Sequence, residues 1–210
     1  MKNLKETILE KLVFNKHTKQ KQQVYNYHPK DKDELKKLVN KLIKERGNKA
    51  DLNDIDTSEI TDMYGLFEES NFDGDISKWN VSSVRDMQGM FDTSDFTGEN
   101  GDISNWGVSN VEDMHGMFYK SKFNGDISKW DVSKVKDMSY MFARSKFTGE
   151  NGDISNWDVH KVEDMRSMFE YSKFNWDISS WDISNVTNMY CMFGNSPLEK
   201  NPPKWYKNKQ

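Results

Sequence analysis

The sequence predicts an α/β fold, a solenoid of about six short strand–helix repeats with a cap at each end. The first observation is a series of regularly spaced tryptophans, 27, 24, 27 and 24 residues apart, at Trp79, Trp106, Trp130, Trp157 and Trp181. The second is composition, since hydrophobic residues make up only 35% of the 210 residues while aromatic residues reach 13%. A thin core shared by many small repeats reconciles these two values.

Two repeat lengths alternate along the chain. The longer copies carry the same three extra residues, Glu99-Asn100-Gly101 and Glu150-Asn151-Gly152. Residues 71–121 therefore match residues 122–172 as a 51-residue pair, as a duplication would leave them. One further repeat length after Trp181 is Trp205, near the C-terminus.

The first half of each repeat predicts a short strand. In one copy, Trp79 and Val81 alternate with Lys78 and Asn80, which places the two polar side chains on the opposite face. The apolar spacing that begins at Ile76 falls close to the leucine-rich-repeat pattern. We therefore expect parallel strands stacked about 4.8 Å apart.

The second half of each repeat predicts a short helix. Its apolar residues recur at i, i+3, i+6 and i+7, as in Val84, Met87, Met90 and Phe91. Ser109 followed by Glu112 is typical of a capping box at the start of such a helix. Eleven of the 12 methionines lie on this apolar stripe, beside a phenylalanine, and we interpret them as core residues.

Residues 1–50 predict a basic, mainly helical N-terminal capping region. Asp31 and Glu34 form a capping box and Gly47 a stop signal. The apolar face between them comprises Leu35, Leu38, Val39, Leu42 and Ile43. A strand over 24–27 and a helix over 1–14 complete the expected cap.

The repeats are expected to span residues 51–196, with a C-terminal cap and tail at 197–210. Pro202 and Pro203 occupy the next strand position, and proline has no N–H to donate, so the ladder should stop there.

Two columns of acidic residues run through the repeats. One precedes every predicted strand, at Asp51, Asp75, Asp102, Asp126, Asp153 and Asp177. Each of these carboxylates can accept a backbone N–H in an Asx-turn, and a bridging calcium ion is the alternative. The other lies in the first turn of each predicted helix, at Asp62, Asp86, Asp113, Asp137 and Asp164, where negative charge suits the helix dipole.

No catalytic constellation or cofactor motif is present, and we predict no enzyme activity, no metal and no cofactor. The polar side chains beside each tryptophan instead vary from repeat to repeat while the core residues do not. The predicted ligand-binding residues are Lys78, Asn80, Asn105, Lys129, Asp131, Asn156, Asp158 and Asp182. We expect a protein or an extended glycan as the partner on this face.

The string FNGDISKWDVSKVKDMSYMF at residues 123–142 resembles the BspA-like leucine-rich-repeat surface proteins. In particular it is similar to a repeat first catalogued as a mycoplasma lipoprotein family of unknown function, over roughly residues 51–196. The resemblance implies a βα solenoid used for adhesion or protein binding, with no catalytic residues. Residues 1–50 more weakly resemble the leaders of short repeat proteins from gut bacteria and their phages.

Charge is divided unevenly along the chain. Residues 1–50 carry 14 Lys and Arg against 6 Asp and Glu, whereas the rest carries 16 against 28. The acidic body disfavours nucleic acid. The basic region supports an alternative function, a structural or assembly protein such as a virion decoration docked through residues 1–50. Without a recognisable signal peptide or apolar span, we expect a cytoplasmic or virion-associated protein that contacts no membrane.

Overall fold

The computed structural model describes residues 24–207. Within them, helices occur only before the first repeat and after the last arm-forming repeat. Helix α1 spans Lys32–Arg46, a 3-10 helix spans Pro197–Glu199, and α2 spans Lys204–Lys207. Neither a strand nor a sheet forms in this part of the chain, where the only β-pairing consists of isolated parallel bridges such as Asp86↔Asp113. The predicted fold class, a leucine-rich-repeat-like βα solenoid, is therefore wrong.

Helix α1 was predicted correctly, with its capping. The Asp31 carboxylate accepts the N–H of Glu34 at 2.9 Å, and the Gly47 N–H closes the last turn on the Ile43 carbonyl. Its apolar face packs against the first repeat, with Leu35, Val39 and Leu42 buried. The strand predicted over 24–27 is reduced to a single bridge between Tyr27 and Ile55. The helix predicted over 1–14 lies outside the described residues.

The tryptophan half of each repeat is a series of turns. The N–H of Trp79 donates to the Ile76 carbonyl at 3.1 Å, and the N–H of Val84 donates to the Val81 carbonyl at 3.0 Å. These local bonds use the N–H groups that a ladder would need, so the predicted strands do not form. The predicted faces are nevertheless confirmed, since the Trp79 and Val81 side chains are buried and Lys78 is exposed.

The methionine and phenylalanine half, which we call the arm, is also built from turns. Six arms follow one another, at residues 62–70, 86–94, 113–121, 137–145, 164–172 and 188–196. Within one arm, the Gly89 N–H donates to the His115 carbonyl of the next arm, while the Met90 N–H donates to Met87 of its own. An α-helix would require every N–H to bond four residues back. The predicted helix is therefore wrong, as is its capping box, in which Glu112 instead pairs with Lys136 of the next repeat at 2.7 Å.

Aromatic columns form the core of this repeat stack. The arm phenylalanines stack with ring centroids 5.4 to 6.1 Å apart, at Phe67, Phe91, Phe118, Phe142, Phe169 and Phe193. A second column lies against them at 6.0 to 6.5 Å spacing, comprising Phe72, Phe96, Phe123, Phe147 and Phe174. All of these rings are buried, so each repeat completes its core only against its neighbours. Among residues 24–207 no helix has the length and apolar character to cross a membrane.

Candidate functional site

A ladder of indole hydrogen bonds fixes the surface on which the predicted ligand-binding residues lie. Each of the regularly spaced tryptophans donates its Nε1–H to a carbonyl of the preceding repeat, as Trp130 does to Ile103 at 3.0 Å and Trp157 to Ile127 at 3.1 Å. The ladder continues to Trp205, whose Nε1–H donates to Ile178 at 3.2 Å. Because each indole is anchored this way, the residues beside it are held in register from one repeat to the next.

Four of the predicted site residues form an exposed column along that ladder: Lys78, Asn105, Lys129 and Asn156. Within residues 24–207 their side chains make no hydrogen bond or ion pair. Ser180 follows them in the same column, and its hydroxyl donates to the Ser155 carbonyl of the previous repeat at 2.7 Å. The first four positions thus present two ammonium groups and two amides to solvent.

The other four predicted site residues also hydrogen-bond to their own backbone: Asn80, Asp131, Asp158 and Asp182. Each accepts the N–H two residues ahead, as Asp131 does from Ser133 at 3.1 Å and Asp158 from His160 at 3.3 Å. Hydrogen bonds from Ser133 keep the pKa of Asp131 below its usual value. This column therefore closes Asx-turns as well as facing solvent. The ligand-binding role of both columns stays a prediction.

The two acidic columns that the sequence singled out close the same kind of turn. In the first, carboxylates accept N–H groups two residues ahead, as Asp75 does from Ser77 at 2.9 Å, so the Asx-turn interpretation is confirmed. In the second column, carboxylates accept N–H groups in the same way, as Asp86 does from Gln88 at 2.8 Å. The predicted position of this column in the first turn of a helix is wrong. No cluster of three or more metal-ligating side chains occurs in the described part of the chain.

The second acidic column carries an electrostatic cost in its middle. Burial raises the pKa of Asp113 above its usual value, and the charges of Asp137 and Asp86 on either side raise it further. Its carboxylate nonetheless accepts the His115 N–H at 2.8 Å. Neighbouring carboxylates are thus brought together by the stacking of the repeats and are tolerated because each closes its own turn.

The arm face carries a groove that the sequence analysis missed. Its volume is about 260 Å³, and tyrosines line it at Tyr64, Tyr119 and Tyr140. Two carboxylates, those of Glu68 and Asp92, also line it. The floor consists of Gly65, Gly89 and Gly116, each with a φ between 56° and 58°.

Glycine is not required at these floor positions by the backbone alone. The equivalent residues in the next three arms, Tyr140, Ser167 and Cys191, hold φ values of 57°, 51° and 52° with a side chain present. A Cβ on Gly89 would meet nothing closer than 3.8 Å. The three glycines therefore leave the space of the groove open over the first arms. The change from Gly to Tyr, Ser and Cys at this repeat position is the sequence signal that could have revealed the groove.

The repeat string identifies the family. The family described as a Mycoplasma protein of unknown function, DUF285, matches residues 33–150 and again residues 94–205. This chain belongs to the DUF285 family. No curated protein and no solved structure matches it. The DUF285 match begins inside α1 and ends at Trp205, so it includes the helix that packs on the first repeat and the last indole of the ladder.

Proposed function

We propose that this DUF285 protein is a non-catalytic binding scaffold that holds an extended protein or glycan chain along the exposed column. One observation carries the proposal: Lys78, Asn105, Lys129 and Asn156 lie side by side on stacked repeats, and their polar groups are unused within the described residues. Such a row can donate hydrogen bonds to successive hydroxyl, carbonyl or carboxylate groups of one long ligand. The likeness to BspA-like surface proteins, which implies adhesion or protein binding, supports the same class of function.

The neighbouring column adds to this surface without competing for it. Asp131 and Asp158 are exposed and close their turns through Oδ1, so the other oxygen of each can accept a hydrogen bond from the same ligand. Asn80 and Asp182 are exposed in the same column. The mixture of ammonium, amide and carboxylate groups suits an extended polar chain better than a small metabolite, which an enclosed pocket would hold.

The experiment compares the protein with a quadruple variant on arrays of linear oligosaccharides and short peptides. The variant carries Lys78→Ala, Asn105→Ala, Lys129→Ala and Asn156→Ala. A matched control carries Lys146→Ala and Lys173→Ala, which remove two exposed lysines elsewhere on the stack. A ligand that the wild type and the control bind, and that the quadruple variant loses by at least about tenfold, supports the proposal. Equal binding by the folded quadruple variant contradicts it.

A second candidate is an assembly protein docked through its basic N-terminal region. The supporting observation is that Lys37 and Lys44 of α1 are exposed. Two other cations of the helix, Lys36 and Arg46, instead donate hydrogen bonds to the first repeat. Lys37→Glu with Lys44→Glu should abolish attachment to an acidic assembly partner while leaving ligand binding on the exposed column unchanged. Attachment that survives this charge reversal would remove the basic helix from consideration.

A further inference from the structure

The arms of the stack have a direction. At each of the five junctions, four N–H groups of one arm donate to carbonyls of the next arm toward the C-terminus. At the last junction these are the bonds from Met165 to Asn188, Ser167 to Tyr190, Phe169 to Met192 and Tyr171 to Gly194, at 2.8 to 2.9 Å. At these four positions the N-terminal edge of an arm offers acceptors and its C-terminal edge offers donors. Bonds in the other direction occur at the end of the first three arms, where the Ser70, Ser94 and Ser121 carbonyls accept N–H groups of the following repeat.

Helix α1 packs against the acceptor edge at the start of the stack. The Lys36 ammonium donates to the carbonyl of Leu66, one of the four edge acceptors, and to that of Gly65, both at 2.7 Å. Beside it, the Lys32 ammonium lies 3.0 Å from the Asp62 carboxylate.

The donor edge at the other end is open. The N–H groups of Met189, Cys191 and Phe193 correspond to those of Met165, Ser167 and Phe169, which bond to the next arm. Within residues 24–207 none of the three has an acceptor. Only the fourth donor, the N–H of Asn195, is satisfied, by the Glu199 carboxylate at 3.1 Å.

Within residues 24–207, the chain after the last arm supplies the tryptophan half of a further repeat but no seventh arm. Trp205 takes the next position on the indole ladder, and Tyr206 packs on Phe193 with ring centroids 4.9 Å apart. Beside the three free N–H groups, where a seventh arm would lie, is a cleft of about 800 Å³. Two lysines, Lys200 and Lys207, line it together with one carboxylate, that of Glu199, which accepts the Asn195 N–H.

We propose that this cleft binds an extended acidic segment of another protein, which takes the place of the missing arm. Its backbone carbonyls accept from Met189, Cys191 and Phe193, and its carboxylates pair with Lys200 and Lys207. Addition of an extended segment to an open edge derives affinity from main-chain hydrogen bonds. The three N–H groups select for carbonyl groups, and the two lysines select for negative charge. This surface is separate from the exposed column of the proposed function and does not depend on it.

The test uses the full chain, labelled with 15N, and three synthetic peptides of about eight residues that alternate valine with glutamate, serine or lysine. We expect the glutamate peptide to slow amide exchange of Met189, Cys191 and Phe193 by at least about tenfold at saturation. The amides of Met165, Ser167 and Phe169 are the internal control and should not change. The lysine peptide should leave all six amides unaffected.

Two variants separate the contribution of charge from that of the edge. Lys200→Ala with Lys207→Ala should weaken binding of the glutamate peptide by at least about tenfold, while the matched pair Lys146→Ala with Lys173→Ala should not. The proposal is overturned if the three edge amides exchange at the same rate with and without peptide. Equal protection by the lysine peptide, or undiminished binding to the folded lysine variant, overturns it as well.

Discussion

The Nε1–H of Trp130 donates to the carbonyl oxygen of Ile103, one repeat earlier, at 3.0 Å. This bond joins neighbouring repeats through their tryptophan halves, as the backbone hydrogen bonds join them through their arms. Trp130→Phe keeps a buried ring and removes the donor, and we expect it to cost roughly 1–3 kcal/mol because the carbonyl loses its partner. Trp130→Ala should cost roughly 3–5 kcal/mol, since it also leaves a cavity in mid-stack.

Urea unfolding of these variants measures both effects. Lys129→Ala, at the adjacent exposed position, is the control and should change the free energy of unfolding by less than about 0.5 kcal/mol. Equal losses for Trp130→Ala and Lys129→Ala would contradict the assignment of the two residues to opposite faces.

The packing of α1 against the acceptor edge can be tested with two neighbouring lysines. Lys36→Met keeps most of the aliphatic stem but removes the ammonium that bonds to Gly65 and Leu66, so we expect a loss of roughly 1.5–3 kcal/mol. Lys37→Met changes an exposed residue of the same helix and should stay within about 0.5 kcal/mol. Thermal and urea unfolding give the comparison, and similar losses for both would show that the carbonyls do not need Lys36.

The raised pKa of Asp113 gives stability a defined pH dependence. A carboxyl whose pKa is raised in the folded state destabilises the fold as pH rises through and above the usual value of 3.8. Asp113→Asn should therefore be more stable than the wild type at pH 7, by a few tenths of a kcal/mol. The advantage should vanish near pH 3, where the wild-type carboxyl is protonated. An amide can close the same turn, as Asn188 does for the Tyr190 N–H at 3.2 Å.

Asp177 provides the opposite control for the pH series. Hydrogen bonds from Ser179 lower the pKa of Asp177, so its ionised form contributes stability that is present at pH 7 and lost as pH falls. Asp177→Asn should thus reduce stability at pH 7, in the direction opposite to Asp113→Asn. A change of the same sign at pH 7 for both substitutions would contradict the electrostatic difference between half-buried Asp113 and exposed Asp177.

A strained threonine offers a stabilising substitution. Thr93 is β-branched and has a φ of 53°, a left-handed conformation that costs about 1–2 kcal/mol for a residue with a Cβ. Thr93→Gly removes that cost at the expense of greater freedom in the unfolded chain, and we expect a net gain of about 0.5–1 kcal/mol. Thr93→Ala keeps the strain and should give no gain. The melting temperatures of the three proteins decide the matter.

The sequence was sufficient for the period of the repeats and for the direction in which side chains point. Val84, Met87, Met90 and Phe91 are buried as predicted, and Trp205 continues the series one repeat beyond the last matching copy. The repeat period and the side-chain directions both follow from which positions are apolar. That pattern is the same whichever hydrogen bonds the backbone makes. The caps of α1 were also predictable because they depend on residues close together in the chain.

The hydrogen bonding of the backbone could not be predicted in the same way. The apolar spacing of an arm fits an α-helix, yet Gly89 donates to the neighbouring arm while Met90 donates within its own. Which N–H groups bond between arms and which bond within one depends on an acceptor about one repeat away in the sequence. A periodicity of three to four residues carries no information about that acceptor. The exposed column was predicted from side-chain direction, but the open edge exists only because Trp205 is followed by no further arm in the described residues.

The shared direction of the arms has a consequence for how such proteins can change in length. The carbonyls of an inserted repeat accept N–H groups from the copy before it, and its own N–H groups donate to the copy after it, so neither end of the repeat stack has to change. The near identity of residues 71–121 and 122–172 is what a duplication of this kind leaves behind. A duplication within the repeats therefore lengthens the exposed column, while the helix at one end and the cleft at the other stay unchanged.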